Sequence, residues 1–178
     1  MKRIISFIAL SLTSIMMAGA QARPLATEIL QDACRQASKE NKKVFVMFTA
    51  SWCGWCHRMD KSMQDEDIKK YFDDNFLIRH FVVDEFGDKK NLETTGAASL
   101  RTKYGGDGQG IPFWLIFDKD GNLIADSMRP DDLGNKMNTG CPADEREVNY
   151  FITVLKKTTG LSNDQLEKIS KRFRKNMN

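Results

Sequence analysis

The pair Cys53 and Cys56, placed directly after a run of β-branched and aromatic residues, constrains this chain more than any other sequence feature. The run at 44–49 has strand length and no polar alternation, which is typical of a central strand covered on both faces. After Cys56 the composition becomes helical towards Lys70. The pair is therefore predicted to lie where a buried strand meets a helix, and the first helical turn lets the two sulfurs close a small disulfide ring.

The start of a helix favours redox chemistry at such a pair. Unpaired N–H groups and the positive end of the helix dipole favour the thiolate form of Cys53. We predict Cys53 to be the exposed attacking sulfur and the more covered Cys56 to resolve the mixed disulfide. Two other uses stay open: a purely structural disulfide, and c-type haem attachment, since His57 completes a Cys-x-x-Cys-His pattern. A metal site using His57 or His80 lacks the spacing of four ligands, so no metal is expected.

Residues 1–22 have the pattern of a cleaved signal peptide. Lys2 and Arg3 form a basic start, 4–17 is almost wholly apolar, and 20–22 is an Ala-x-Ala cleavage sequence. The apolar run of about 14 residues is too short to span roughly 30 Å of bilayer, so no membrane insertion is expected after cleavage. We expect a periplasmic or secreted mature chain.

Export changes the interpretation of the two remaining cysteines, because thiols can pair in an oxidising compartment. Cys34 lies on the apolar side of the predicted helix 24–39, and Cys141 lies in the loop before the last domain helix. They could form a structural disulfide with each other, Cys34 could be a buried free thiol, or Cys141 could serve a second redox site. Without Lys2 and Arg3, 25 basic residues oppose 24 acidic ones, and this near-neutral charge argues against non-specific nucleic-acid binding.

The apolar patterns of the rest of the chain predict alternating helices and strands that end in a hairpin. This order implies an α/β fold with a mixed central sheet and helices on both faces. We expect a domain over 23–160 and a C-terminal helical extension over 161–178, whose basic residues face solvent. The predicted elements are helices 24–39, 92–104 and 145–157, a short helix or turn at 71–76, strands 44–49, 76–83, 113–117 and 122–127, an Asp-Gly turn at 118–121, and an irregular loop at 129–142.

Two motifs carry a resemblance to a known family. Trp52-Cys53-Gly54-Trp55-Cys56, after the apolar run, resembles the active-site strand and helix of the thioredoxin superfamily. About 60 residues later, Gly110-Ile111-Pro112-Phe113 resembles the cis-proline segment of that superfamily, again just before a strand. The order and separation make the resemblance specific, and it covers about 39–157. Within the superfamily, the chain is most similar to exported bacterial thioredoxin-like proteins of the thioredoxin_7 type.

The resemblance implies a three-layer α/β/α sandwich and a thiol–disulfide oxidoreductase that acts on protein thiols and disulfides without a bound cofactor. It implies a cis Pro112 facing the cysteine pair. It also implies that the backbone of Ile111 pairs with an extended substrate segment. The residues it implies for substrate binding are Trp52, Gly54, Trp55, Ile111 and Pro112.

Three positions depart from the family pattern and concern the direction of electron flow. Met47 stands six residues before the first cysteine, where thioredoxins commonly carry a buried Asp, Trp55 replaces the usual Pro, and His57 replaces the usual Lys. His57 is either a proton shuttle or an exposed helix residue. We expect a reductive direction fed by a membrane electron donor. The alternative is a non-catalytic binding or chaperone-like module whose Cys53–Cys56 disulfide is structural.

Overall fold

The computed structural model describes residues 23–177 as a sheet enclosed by helices on both faces. The helices are α1 (Ala26–Glu40), α2 (Gly54–Met63), α3 (Lys69–Asn75), α4 (Ala97–Lys103), α5 (Glu145–Thr158) and α6 (Asn163–Arg174), with 3₁₀ turns at Gly87–Leu92 and Lys175–Met177. The strands are β1 (Lys43–Thr49), β2 (Phe76–Val82), β3 (Phe113–Phe117), β4 (Leu123–Asp126), β5 (Met128–Pro130) and β6 (Lys136–Asn138). The predicted signal peptide at 1–22 lies outside the described residues.

The main sheet is mixed and has the strand order β2-β1-β3-β4. β1 runs parallel to β2 and antiparallel to β3, and β4 returns antiparallel to β3 through the predicted turn at 118–121. The α/β class, the three layers and the mixed sheet expected from the sequence are confirmed. β1 lies between two strands, as its unbroken apolar run predicts.

Two apolar clusters cover the two faces of this sheet, because successive strand side chains point to opposite sides. Phe45 and Trp114 pack with α2, α3, α5 and α6 on one face. Val46 and Leu115 pack with α1 and α4 on the other face. This packing on both sides fixes β1, and with it the point at which the chain leaves β1 and enters α2.

Two helix predictions were wrong at their boundaries. The helix predicted over 92–104 begins only at Ala97, because Gly96 before it takes a left-handed φ of 78° and the residues further upstream form a 3₁₀ turn. The helix predicted from Cys56 towards Lys70 ends at Met63. The carbonyl of Asp65 accepts hydrogen bonds from the N–H groups of residues 68 and 69, which closes a turn before α3.

The loop predicted as irregular over 129–142 contains an additional two-stranded ribbon. β5 and β6 pair antiparallel, with Met128 opposite Asn138 and Pro130 opposite Lys136. The turn between them is closed by Asp131, whose carboxylate accepts hydrogen bonds from the backbone N–H groups of residues 133 and 135. The ribbon follows β4 directly and approaches the end of the sheet where β3 begins.

The last helix packs against the same core as the main sheet. Leu166, Ile169 and Phe173 on α6 are buried together with Phe72 and Phe151, whereas the basic residues of the helix lie mainly on its outer side. The domain boundary at residue 160 stays a prediction. Within 23–177, no helix is both long and apolar enough to cross a membrane.

Candidate active site

Cys53 and Cys56 form a disulfide at the N-terminus of α2, with their Cα atoms 5.3 Å apart. Cys53 is the N-cap residue of the helix, and the backbone N–H of Cys56 donates a hydrogen bond to the Cys53 sulfur over 3.1 Å. After reduction, this N–H group and the helix dipole stabilise a thiolate at Cys53.

The Cys53 sulfur is less accessible than the sequence predicts. Cys53 is 3% exposed and Cys56 is fully buried. The prediction that Cys53 carries an exposed sulfur was therefore wrong. The reason is local packing, because Ala50 and Ile111 close over the pair and form a small apolar cluster with it.

The segment before β3 lies directly against the disulfide. The peptide bond between Ile111 and Pro112 is cis, as the resemblance implies. The carbonyl oxygen of Ile111 lies 3.5 Å from the Cys53 sulfur. A substrate strand that pairs with Ile111 would thus bring its own backbone next to the reacting sulfur.

Two tryptophans flank the disulfide, and each is about half exposed. The indole N–H of Trp52 donates a hydrogen bond of 2.8 Å to the carbonyl of Asp84, and its ring packs against Phe86 with 5.5 Å between the centroids. The ring of Trp55 lies under the guanidinium of Arg58, which is 4.7 Å from its centroid. Both indoles are held in place while presenting apolar surface beside the sulfurs. Gly54, between the cysteines, has open space where a side chain would stand.

Glu85 is a site residue that the sequence analysis missed. Its carboxylate is 1% exposed and accepts hydrogen bonds from the backbone N–H of Ser51, over 2.5 Å, and from the Ser51 hydroxyl, over 2.9 Å. Ser51 follows β1 and Glu85 follows β2. The carboxyl ends of adjacent parallel strands meet at one edge of a sheet, so their positions in the sequence could have indicated this contact. Glu85 fixes the loop that carries Trp52 and Cys53.

Neither the imidazole of His57 nor the side chain of Met47 forms a hydrogen bond with the sulfur of Cys53 or Cys56. The imidazole of His57 is exposed, and its Nε2 forms a 3.0 Å hydrogen bond with the carbonyl of Ser51, so the ring points back towards the loop. Met47 is buried in the core and pairs with His80 across β1 and β2. Within 23–177, no group of three or more His, Cys, Asp or Glu side chains is arranged to hold a metal ion.

Cys34 and Cys141 are both buried free thiols, so the disulfide considered between them is not formed. Cys34 lies on the buried side of α1 and packs on one face of the sheet, whereas Cys141 packs with α5 and α6 on the other face. The sheet separates them. Burial raises the pKa of the Cys34 thiol, and burial raises the pKa of Cys141 to about 12.

A groove of about 530 Å³ runs beside the disulfide. One wall is Trp55, the floor is the segment 109–112, and the other wall is the segment 136–140 that includes β6. Asn138 on this second wall contacts the floor directly, and the sequence gives no signal for it. The groove borders the cis-proline segment.

The comparison with known protein families agrees with this fold. A family model described as thioredoxin-like matches residues 26–119. Spermatogenesis-associated protein 20 of Mus musculus is 29% identical over 86 residues, which are 48% of this chain and 10% of that protein, and the Rattus norvegicus protein matches to the same extent. The chain thus spans about a tenth of the length of the curated relatives it matches.

Solved structures with a similar arrangement include bacterial redox proteins. A structure described as a disulphide isomerase from Xylella fastidiosa Temecula1 is 18% identical, with a TM-score of 0.49, covering 96% of this chain and 100% of that one. The C-terminal domain of Neisseria meningitidis DsbD in the oxidised form is 22% identical, with a TM-score of 0.41, covering 59% of this chain and 84% of that domain.

Proposed function

Because the chain belongs to the thioredoxin-like family, we propose that it is a thiol–disulfide oxidoreductase whose Cys53–Cys56 pair exchanges with protein substrates. The observation that carries the proposal is the placement of Cys53. Its sulfur accepts a hydrogen bond at the start of α2 and lies 3.5 Å from the carbonyl of Ile111. A thiolate is thus favoured at the one sulfur that adjoins a backbone edge able to hold a substrate strand.

In the reductive direction that we propose, the dithiol form reacts in two steps. The Cys53 thiolate attacks one sulfur of a substrate disulfide, which forms a mixed disulfide and releases the other substrate sulfur as a thiolate. The Cys56 thiolate then attacks the Cys53 sulfur, which forms the Cys53–Cys56 disulfide and releases the second substrate thiolate. Two electrons pass to the substrate, whose thiolates take up two protons from solvent. A dithiol donor, which we propose to be a membrane protein, returns the pair to the reduced form.

The reduction potential of the pair tests this proposal most directly. Purified protein is equilibrated with glutathione and dithiothreitol buffers, and the Cys53–Cys56 state is measured. A value near −270 mV or below supports a reductase, whereas a value near −120 mV means an oxidant. Cys53→Ser should abolish exchange, Cys56→Ser should trap a mixed disulfide at Cys53, and Cys34→Ser is the matched control. No exchange in folded protein would overturn the proposal in favour of a binding module with a structural disulfide.

Export is the second part of the proposal and rests on the sequence of residues 1–22. Cleavage after Ala22 would release a chain that begins at Arg23 in the periplasm or outside the cell. Terminal sequencing of the protein from a periplasmic fraction should find Arg23 first. Recovery of a chain that still begins at Met1 in the cytoplasm would contradict export without affecting the redox proposal.

A further inference from the structure

Asn138, at the end of β6, joins the ribbon to the segment that lies against the disulfide. Its side-chain amide donates two hydrogen bonds, to the carbonyl of Gly110 over 2.6 Å and to the carbonyl of Pro112 over 3.0 Å. Its side-chain oxygen accepts a hydrogen bond from the backbone N–H of Gly140 over 3.1 Å. All of the hydrogen-bonding groups of this side chain are thus directed at backbone near the active site.

These contacts have a direct consequence for Ile111. The carbonyls of Gly110 and Pro112 both point to Asn138 on the ribbon side. The carbonyl of Ile111, which belongs to the cis peptide bond between these two residues, lies instead next to the Cys53 sulfur. One side chain therefore fixes the orientation of the edge to which a substrate strand would be added.

The ribbon itself is held firmly, so Asn138 has a stable base. The backbone N–H of Thr139 donates to the carbonyl of Ser127 over 2.7 Å. The indole N–H of Trp114, on the central strand β3, donates to the carbonyl of Gly140 over 2.9 Å. Trp114 lies on β3 and Ser127 directly follows β4, so both hydrogen bonds connect the ribbon to the main sheet. Asn138 thus bonds the cis-proline segment to a ribbon that is itself bonded to the main sheet.

We propose that Asn138 is a positioning residue for substrate recognition, which orients the Ile111 edge from behind without touching the substrate's reacting atoms. The inference deepens the proposed oxidoreductase function and rests on it. The second wall of the groove, where Lys136 and Met137 lie beside Asn138, is then part of the surface that recognises an extended protein segment. A disulfide without peptide groups does not use this edge, because it has no backbone to pair with Ile111.

The experiment compares two oxidised probes with the wild-type protein and Asn138→Ala. Insulin supplies protein disulfides, and hydroxyethyl disulfide, which has no peptide groups, is the small probe. Dithiothreitol regenerates the Cys53–Cys56 dithiol at each turnover. Asn138→Ala should raise the KM for insulin by about tenfold with kcat unchanged, as expected for the loss of two backbone-orienting hydrogen bonds. The rate with hydroxyethyl disulfide and the Cys53–Cys56 reduction potential should both stay at the wild-type value.

Two further variants separate positioning from general support of the ribbon. Asn138→Asp keeps the shape but removes the N–H donors, so it should show the same loss towards insulin. Asn135→Ala, in the ribbon turn, should match the wild type, because its side chain bonds only to Asp131. Equal loss in Asn135→Ala, or an unchanged insulin KM in Asn138→Ala, would overturn the role of Asn138 and leave the oxidoreductase function intact. A wild-type protein that exchanges with neither probe would overturn both.

Discussion

Replacing Phe173 by alanine should strongly destabilise the protein, although this residue is only five positions from the end of the chain. Phe173 is fully buried, and its ring centroid lies 4.9 Å from that of Phe151 and 6.3 Å from that of Phe72. Truncating a buried Phe to Ala typically costs about 3–5 kcal/mol, part of which is the cavity left behind. A loss of about 4 kcal/mol lowers the melting temperature of a domain of this size by about 8–16 °C.

Urea unfolding followed by circular dichroism measures this effect, with the Cys53–Cys56 disulfide kept oxidised in every sample. Met177→Ala is the matched control, because its side chain is 63% exposed in the same C-terminal segment. That control should change the free energy of unfolding by less than about 0.5 kcal/mol. A loss below about 1 kcal/mol for Phe173→Ala would refute the reasoning, since α6 would then be a separable extension.

Three further predictions concern residues outside the disulfide. In folded, oxidised protein Cys34 and Cys141 should not react with a thiol reagent, and both should react after unfolding in urea. Burial opposes ionisation of Asp65, but the guanidinium of Arg172, 2.6 Å away, lowers its pKa overall. Its stabilising effect is therefore full above the unfolded pKa of about 4 and is lost as pH falls through the folded pKa, so the unfolding free energies of wild type and Asp65→Asn should converge below pH 4. Gly106→Ala should cost about 1–3 kcal/mol in urea unfolding, because a Cβ there would lie 2.9 Å from a buried phenylalanine ring on β3.

The elements nearest the site could be predicted from the sequence because their signals are local. An unbroken apolar run predicts β1, and the spacing of Cys53 and Cys56 fixes the reach of the two sulfurs. The cis Pro112 came from resemblance alone, since a proline before a strand is compatible with either isomer. The structure of each of these features depends on a short stretch of chain, so its signal is visible in a single sequence.

Cys34 and Cys141 do not form a disulfide, and the helical spacing of apolar residues could not have shown this. A helical pattern shows that Cys34 faces a core, but it does not show which side of the sheet that core covers. The chain order is compatible with α1 on either face until the packing of all helices is known. Two buried cysteines can therefore form a disulfide only if they lie on the same face of the sheet, and these two do not.

The ribbon was missed although its turn repeats one that was recognised. Asp118 and Asp131 each accept backbone hydrogen bonds two and four residues on, and each also accepts from the side chain of an Asn four residues on. Both turns have the pattern Asp-x-x-Gly-Asn. The first lies between apolar strands and the second between three-residue strands that contain no apolar run, so an apolar criterion detects only the first. Turn chemistry alone would have predicted both.

Glu85 and Asn138 support the two sides of the site for the same physical reason. Irregular backbone beside the disulfide has lost the regular partners of a helix or strand, and its polar groups must be satisfied by other means. On one side the carboxylate of Glu85 takes the N–H of Ser51, and on the other the amide of Asn138 takes the carbonyls that flank Ile111. Each support comes from a segment distant in sequence, which explains why neither was predicted. Because they fix the loop and the strand edge without contacting either sulfur, substitutions there should change substrate recognition separately from the chemistry of the pair.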